Sequence, residues 1–362
     1  MSALSGGIFD SSRPDDDTAE LRELVDNIGR RSFEARQGQR GVPEQFDGDL
    51  WQALEDTGLA RLTSTPDLDA GPVESAVVLY GLARYAGAVP IAETDLLAAW
   101  LAQRAGIELP RGPLTVAIAD AHHAGGRVSG VARDAPWTRT CAALLLAARI
   151  GDEVRVGILD ANDPETRIEL HASHNLAGEP RDRVTFDVPA DRLAAVDPAV
   201  ADELVRRGAW ARCAQIVGAL DAAAALSVDH TRERVQFGRP LCRFQAVQHA
   251  LASMAGDIER ARAATTLAVA AAADYGFDAT QTDFAVTVAK VTVGRVTGAV
   301  TTTAHQLHGA IGVTVEHPLW LATMRAQSWV ADYGSTAHYA QQLGRAALAA
   351  HNPWDVVIGK NA

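Results

Sequence analysis

Leu21, Leu24, Val25 and Ile28 recur at three- and four-residue intervals, which lays one apolar stripe along a helix. Thr18 stands where an N-cap would, with Asp15, Asp16 and Asp17 on the side that the helix dipole favours. A second helix is expected over 45–57, closed by Gly58. The Ala-rich stretch 73–105 shows no strand alternation and predicts two helices broken near Ala88–Pro90. The pattern changes at Pro110–Pro113. Leu114–Ala119 is apolar, Arg127–Ala132 alternates, Ala142–Ala148 is apolar and Val154–Leu159 is rich in β-branched residues. Arg167–His171 and Arg183–Val188 follow, with Gly, Pro, Asn and Asp between the runs, which predicts a small antiparallel β-domain. From Asp202 the chain is helical again, in Ala-rich stretches over 202–233, 244–275, 279–308 and 318–349. Gly238–Pro240, Gly276–Asp278 and Gly309–Gly312 interrupt them, as in an up-and-down four-helix bundle.

The predicted fold class is therefore mainly α with a small β-domain. A segment expected to be frayed (1–17, rich in Ser, Gly, Pro and Asp) precedes an N-terminal helical domain (18–110). A middle β-domain (111–200), a C-terminal four-helix bundle (201–350) and a short tail (351–362) follow. A chain of 362 residues is long enough for two or three packed domains. Its net charge of −12 argues against general nucleic-acid binding, which needs a basic face, but leaves room for an anionic small ligand held by a few arginines. Three cysteines, Cys141, Cys213 and Cys242, without a C-x-x-C pair, exclude a disulfide framework and predict a reducing compartment. No uninterrupted apolar run has the length of a membrane span, and the first residues lack the basic and apolar regions of a secretory signal. The expectation is a soluble cytoplasmic protein.

Dinucleotide, P-loop, zinc-protease and nucleophile-elbow motifs are absent. His122 and His123 are neighbours on a predicted strand and point to opposite faces, which argues against a shared metal. His305 and His308 lie three apart near a helix end and read as capping or ligand-contact residues. The tryptophans are scattered along the chain as core anchors would be. Two segments stand out. His230-Thr-Arg-Glu-Arg-Val-Gln-Phe-Gly-Arg-Pro240 ends a long helix with arginines, an amide and an aromatic. Arginines there complement the helix dipole, and together with Gln236 and Phe237 they also suit a nucleotide. His305-Gln-Leu-His-Gly-Ala-Ile-Gly312 is a small-residue turn that is either an ordinary interhelical link or a place where backbone approaches a ligand closely.

These segments, in this order, resemble the acyl-CoA dehydrogenase family, and the resemblance spans nearly the whole chain. Leu50-Trp-Gln-Ala-Leu-Glu-Asp-Thr-Gly-Leu59 looks like the family's approach to a Val-Pro-Glu-x-x-Gly-Gly turn, which here reads Thr65-Pro-Asp-Leu-Asp-Ala-Gly71. The stretch from Arg234 to Gln248 is similar to R-x-x-F-G-x-P-I-x-x-F-Q-x-V-Q, and Ala289-Lys290 and Gln306–Gly312 are similar to the family's A-K and Q-x-x-G-G-x-G. The resemblance implies the order helical, β, four-helix bundle. It also implies FAD at a subunit interface, an acyl-CoA substrate oxidised to the 2,3-enoyl-CoA, and an electron-transfer acceptor. A carboxylate removes the α-proton while hydride passes to the flavin. By the same resemblance Arg234, Gln236 and Phe237 would contact the adenosine-diphosphate half of a neighbour's FAD. Gln306, Gly309 and Ala310 would line its pyrophosphate, and Thr336 would join the cofactor contacts.

Three departures change what is expected. Many members carry the catalytic Glu in a Tyr-Glu-Gly-Thr segment; here Met324–Thr336 keeps that frame and Gly334 stands at the Glu position. Other members place the Glu on the first bundle helix; here that position falls near Gly208 or Ala209, with Asp202 and Glu203 about two turns earlier. The Thr-Glu-Pro-x-x-Gly-Ser-Asp loop and Trp-Ile-Thr strand are replaced by Ala119–Gly126 running straight into Arg127–Trp137. No catalytic residue is evident, and Asp332 is the nearest substitute for the base. The expectation is a partner subunit that supplies the outward-reaching half of an FAD site to a base-bearing second chain. This resembles the α2β2 steroid-CoA side-chain dehydrogenases of actinobacteria. A self-sufficient homo-oligomeric dehydrogenase with a displaced base, or a flavin-free structural homologue, remain the alternatives.

Overall fold

The computed structural model describes residues 8–9, 18–36, 41–160 and 163–357. Asp15, Asp16, Asp17 and the last residues of the tail lie outside them. The helical stripe of the first segment becomes α1 (Ala19–Ala35), which buries Val25 and Ile28. Thr18 precedes it, but its side chain makes no capping hydrogen bond, so the expected cap is corrected. Helix α2 (Gly48–Asp56) is capped by Asp47, whose carboxylate accepts from the Leu50 amide at 2.9 Å, and Gly58 follows in the left-handed region. Helix α3 (Pro72–Arg84) starts on a proline, the residue that loses least at a first helical position. After Pro90 the chain runs as a π-helix over Ala92–Ala99 and then as α4 (Trp100–Ala105). The wider helix was not foreseen, since its composition is that of any Ala-rich helix. It buries Asp95, whose carboxylate accepts from the backbone amides and hydroxyls of Thr63 and Ser64.

Seven strands follow: β1 (Leu114–Ala124), β2 (Arg127–Pro136), β3 (Ala143–Ile150), β4 (Glu153–Leu159), β5 (Arg167–His171), β6 (Arg181–Pro189) and β7 (Ala194–Val196). They form one sheet in the order β5-β6-β2-β1-β3-β4-β7. All pairs are antiparallel except one. The first part of β1 lies parallel to β3, from Leu114 opposite Ala143 to Asp120 opposite Arg149, so the expected antiparallel sheet is mixed. The reason is local. Only the end of β1, from Ala121 to Ala124, pairs with β2, and residues 137–142 then return the chain to start β3 beside the start of β1. Alternate positions of both halves, among them Ala119, Val128, Leu146, Val184 and Phe186, share one apolar core.

The C-terminal segment consists of α5 (Ala199–Glu233), the short strands β8 (Val235–Gln236) and β9 (Arg239–Pro240), α6 (Gln245–Tyr275), α7 (Thr280–His308), α8 (Leu319–Trp329), α9 (Thr336–Ala349) and α10 (Pro353–Val357). The fourth bundle helix, expected to be continuous, is broken over residues 330–335. Tyr333 and Gly334 adopt φ of 55° and 112°, which no helix tolerates. Helix α5 is long and apolar enough to cross a membrane by length and composition, contrary to the expectation of no candidate span. Yet 72% of its apolar window is buried inside the protein, as in a core helix. All three cysteines are free thiols.

The chain divides into two compact units. One comprises Met1–Gln39, Gly71–Gly87 and Ala209–Ala362; the other comprises Arg40–Ala70 and Ala88–Gly208. The first carries both segments singled out in the sequence, and the second carries the sheet.

Candidate functional site

Strands β8 and β9 are joined by two residues, Phe237 and Gly238, with φ of 53° and 80°. Such a turn matches the twist of a hairpin but requires the left-handed region twice, which suits Gly238 and costs a Phe about 1 kcal/mol. Phe237 is nonetheless 88% exposed. An aromatic held in an unfavourable backbone conformation and turned to solvent adds little to this chain's core. Its neighbours Arg234 and Gln236 are exposed too. The hairpin is fixed at its root, where the Leu241 amide donates to the Arg234 carbonyl at 2.9 Å, and Arg239 lies over the Phe244 ring at 4.1 Å.

Helix α7 ends at His308, and Gly309 leaves it with φ of 66°. Gln306, Gly309 and Ala310 are exposed there. The structure brings the two segments together, because His230, one turn before Arg234, stacks on His308 with ring centroids 4.5 Å apart. The ends of the two segments thus meet at a ring contact, and Arg234, Gln236, Phe237, Gln306, Gly309 and Ala310 are each exposed around it. These are the groups that fit the phosphates and base of a nucleotide.

Gly334 lies in the break between α8 and α9. A Cβ built on it would meet the Tyr339 ring at 2.8 Å, closer than real Cβ contacts, and its φ of 112° disfavours any side chain. Tyr339 is itself fixed, its hydroxyl donating to the Tyr333 carbonyl at 2.7 Å. The space a side chain would take at this position is therefore filled by the Tyr339 ring. Asp332 accepts from Arg212 Nε at 2.8 Å, and Arg212 is buried, bonded also to Gln215 and set beside the rings of Trp329 and Tyr333. This carboxylate balances a buried guanidinium. Lys290 reaches the same break and donates to the carbonyls of Val330 at 2.9 Å and Asp332 at 2.8 Å, which caps the broken helix. Burial pushes the Lys290 ammonium below the usual lysine range, and burial raises the neighbouring Cys213 thiol to about 12. Sequence reasoning took Lys290 only as part of a family match; its position opposite a non-helical Tyr-Gly pair was the available signal.

Thr336 stands apart from the exposed surface. Its hydroxyl is buried over Gly294 without a hydrogen-bond partner. Gly294 lies roughly four turns, about 21 Å, before His308 on α7. Ala209, near the second base position, is fully buried. Asp202 and Glu203 are engaged elsewhere, by Arg149 at 3.2 Å and Arg207 at 2.8 Å.

The β1–β2 connection decides the other half. Ala124 pairs with Arg127, so Gly125 and Gly126 alone make the turn. A two-residue turn carries no loop from which side chains could surround a flavin ring. The exposed hairpin and α7 turn fit part of an FAD; this closed β-hairpin does not.

Comparison with known proteins agrees with the architecture. Residues 199–348 match the family model described as "Acyl-CoA dehydrogenase, C-terminal domain". The chain is 26% identical over 336 residues to acyl-CoA dehydrogenase FadE27 of Mycobacterium tuberculosis, covering 84% of this chain and 89% of the relative. It is similar in structure to the ChsE4–ChsE5 complex of Mycobacterium tuberculosis, with a TM-score of 0.82, 24% identity, and coverage of 94% of this chain and 100% of that one. A variant of the Tcur3481–Tcur3483 steroid ACAD matches with a TM-score of 0.80 and 26% identity, covering 91% of this chain and 97% of that one. The fold is that of the acyl-CoA dehydrogenases. Residues 199–348 match the C-terminal domain of the acyl-CoA dehydrogenase family, whose members are FAD-dependent flavoproteins, and the chain as a whole is similar to such enzymes.

Proposed function

We propose that this chain is the base-less subunit of a heteromeric acyl-CoA dehydrogenase, presenting Arg234, Gln236, Phe237, Gln306, Gly309 and Ala310 to FAD held mainly by a partner chain. The observation that carries the reading is Gly334. The position of the usual Glu has no side chain, an unfavourable φ for one, and a tyrosine ring where one would go. The substrate class we assign is a CoA thioester with a bulky steroid side chain. Support comes from two similar structures, the ChsE4–ChsE5 complex and the Tcur3481–Tcur3483 steroid ACAD.

Bound FAD supplies the hydride acceptor for α,β-dehydrogenation. The Arg234 guanidinium is suited to hold pyrophosphate charge, the Gln236 amide and Phe237 face suit a base, and the turn at Gly309 lets backbone come close to phosphate oxygens. None of these groups moves the α-proton. That step needs a carboxylate within hydrogen-bond reach, and Asp332 is engaged with Arg212. The proton therefore leaves to a base on the partner.

The test is reconstitution with a second family member that carries the Glu. Dehydrogenation should require both chains and should vanish when the partner's Glu becomes Gln. It should survive Asp332→Asn in this chain. Dehydrogenation by this chain alone, lost on Asp332→Asn, would establish the self-sufficient reading instead.

A further inference from the structure

His230, in the last turn of α5, His308, the last residue of α7, and His317 in the turn before α8 each offer a ring nitrogen, and these three atoms lie within 4.8 Å of one another. We propose that the three imidazoles bind one divalent transition-metal ion of the zinc class.

Three imidazoles with a water in the fourth position are a standard tetrahedral donor set, with nitrogens about 2.0–2.1 Å from the ion. His308 anchors the site. It is buried, and its Nδ1–H donates to the Ala304 carbonyl at 2.8 Å. A carbonyl on one ring nitrogen leaves the lone pair on the other, the arrangement that orients metal-bound histidines. That other atom, Nε2, is buried, and among the described residues no group meets it at good hydrogen-bond geometry. The Leu226 backbone also stabilises a protonated ring, so the competing state is a proton at this position. His230 and His317 are only partly buried, which leaves their rings able to turn and close the remaining distance. The stacked rings of His230 and His308, 21° from parallel, must open for both lone pairs to converge. His317 has an exchange to make as well. Its Nδ1 accepts from the Leu319 amide at 3.2 Å, and coordination through either nitrogen displaces that long bond.

The backbone favours a cation here. The site lies at the C-terminal ends of α5 and α7, where the helix dipole places partial negative charge. Burial lowers the proton affinity of all three rings and favours the neutral form that binds metal. A bound ion would tie the root of the β8–β9 hairpin to the turn after α7.

The experiment uses the tag-free full-length chain, stripped with chelator and dialysed against limiting zinc. About one equivalent should remain after desalting, with cobalt giving the visible bands of a tetrahedral ion. His308→Gln and His317→Gln should each weaken zinc binding by about tenfold or more, and His171→Gln on the sheet should leave it unchanged. Nitrogen NMR of the wild-type chain reads the same claim without a variant. Zinc should shift the imidazoles of His230, His308 and His317 and the Leu319 amide. Zinc removed by desalting, zinc retained when both His308 and His317 are replaced, or shifts confined to other histidines would each overturn the proposal.

Discussion

The β8–β9 hairpin and the break between α8 and α9 lie in the same compact unit and both place a non-glycine residue in the left-handed region. They use that conformation in opposite ways. At the hairpin, Phe237 is held outward and exposed, with its ring edge-to-face with Phe244 at 6.1 Å. At the break, Tyr333 and Gly334 close inward, and Tyr339, Lys290, Asp332 and Arg212 fill the space. One region keeps an unfavourable geometry that the fold does not need. The other is closed by packed side chains around Gly334. The contrast is what a division of labour between two subunits would leave in one of them.

The largest effect expected is at the break. Asp332→Ala leaves the Arg212 guanidinium buried without its carboxylate and should destabilise the chain by about 3 kcal/mol in urea unfolding. A loss below about 1 kcal/mol, the range of exposed pairs, would mean that Asp332 is not structural. Gly334→Glu comes next. Strain at a positive φ and the Tyr339 contact should cost about 2 kcal/mol, and no dehydrogenase activity should appear in the single chain. Activity gained by this substitution would show that the position is still an active-site position.

Phe237→Gly should have the opposite sign. Relief of the left-handed phenylalanine should leave stability unchanged or raise it by up to about 1 kcal/mol, while flavin retention in the two-chain complex falls. Destabilisation instead would make Phe237 a fold residue. The smallest effect is a pH dependence. Burial holds Lys290 below its ordinary value, so above the folded value the unfolded chain binds the proton more tightly. Stability should therefore rise with pH from the folded value up to the ordinary lysine value of about 10.4. The Lys290→Met chain, compared by urea midpoint, should lack this rise.

Legibility in the sequence followed the physics of each segment. The helical stripe of Leu21, Val25 and Ile28 and the β-branched run Val154–Leu159 report their own period, and both became the predicted elements. Pairing partners do not report themselves, so the parallel β1–β3 pair was invisible. The π-helix at Ala92–Ala99 differs from an α-helix only in hydrogen-bond spacing, which composition does not encode. Arg234, Gln236 and Phe237 stood out in the sequence as an arginine, an amide and an aromatic at a helix end, and the structure leaves all three exposed. The break at 330–335 was not readable, because the Lys290 contacts to its carbonyls come from another helix. The convergence of His230 with His308 and His317 was hidden for the same reason, since three elements contribute one ring each.

The most direct measurement is a flavin absorption spectrum with native mass, taken on this chain purified alone and again after co-expression with a base-bearing family member. The chain alone should be colourless and the hetero-oligomer with its partner yellow. A yellow chain alone, with FAD near one per chain or one per dimer, would contradict the partner-subunit reading.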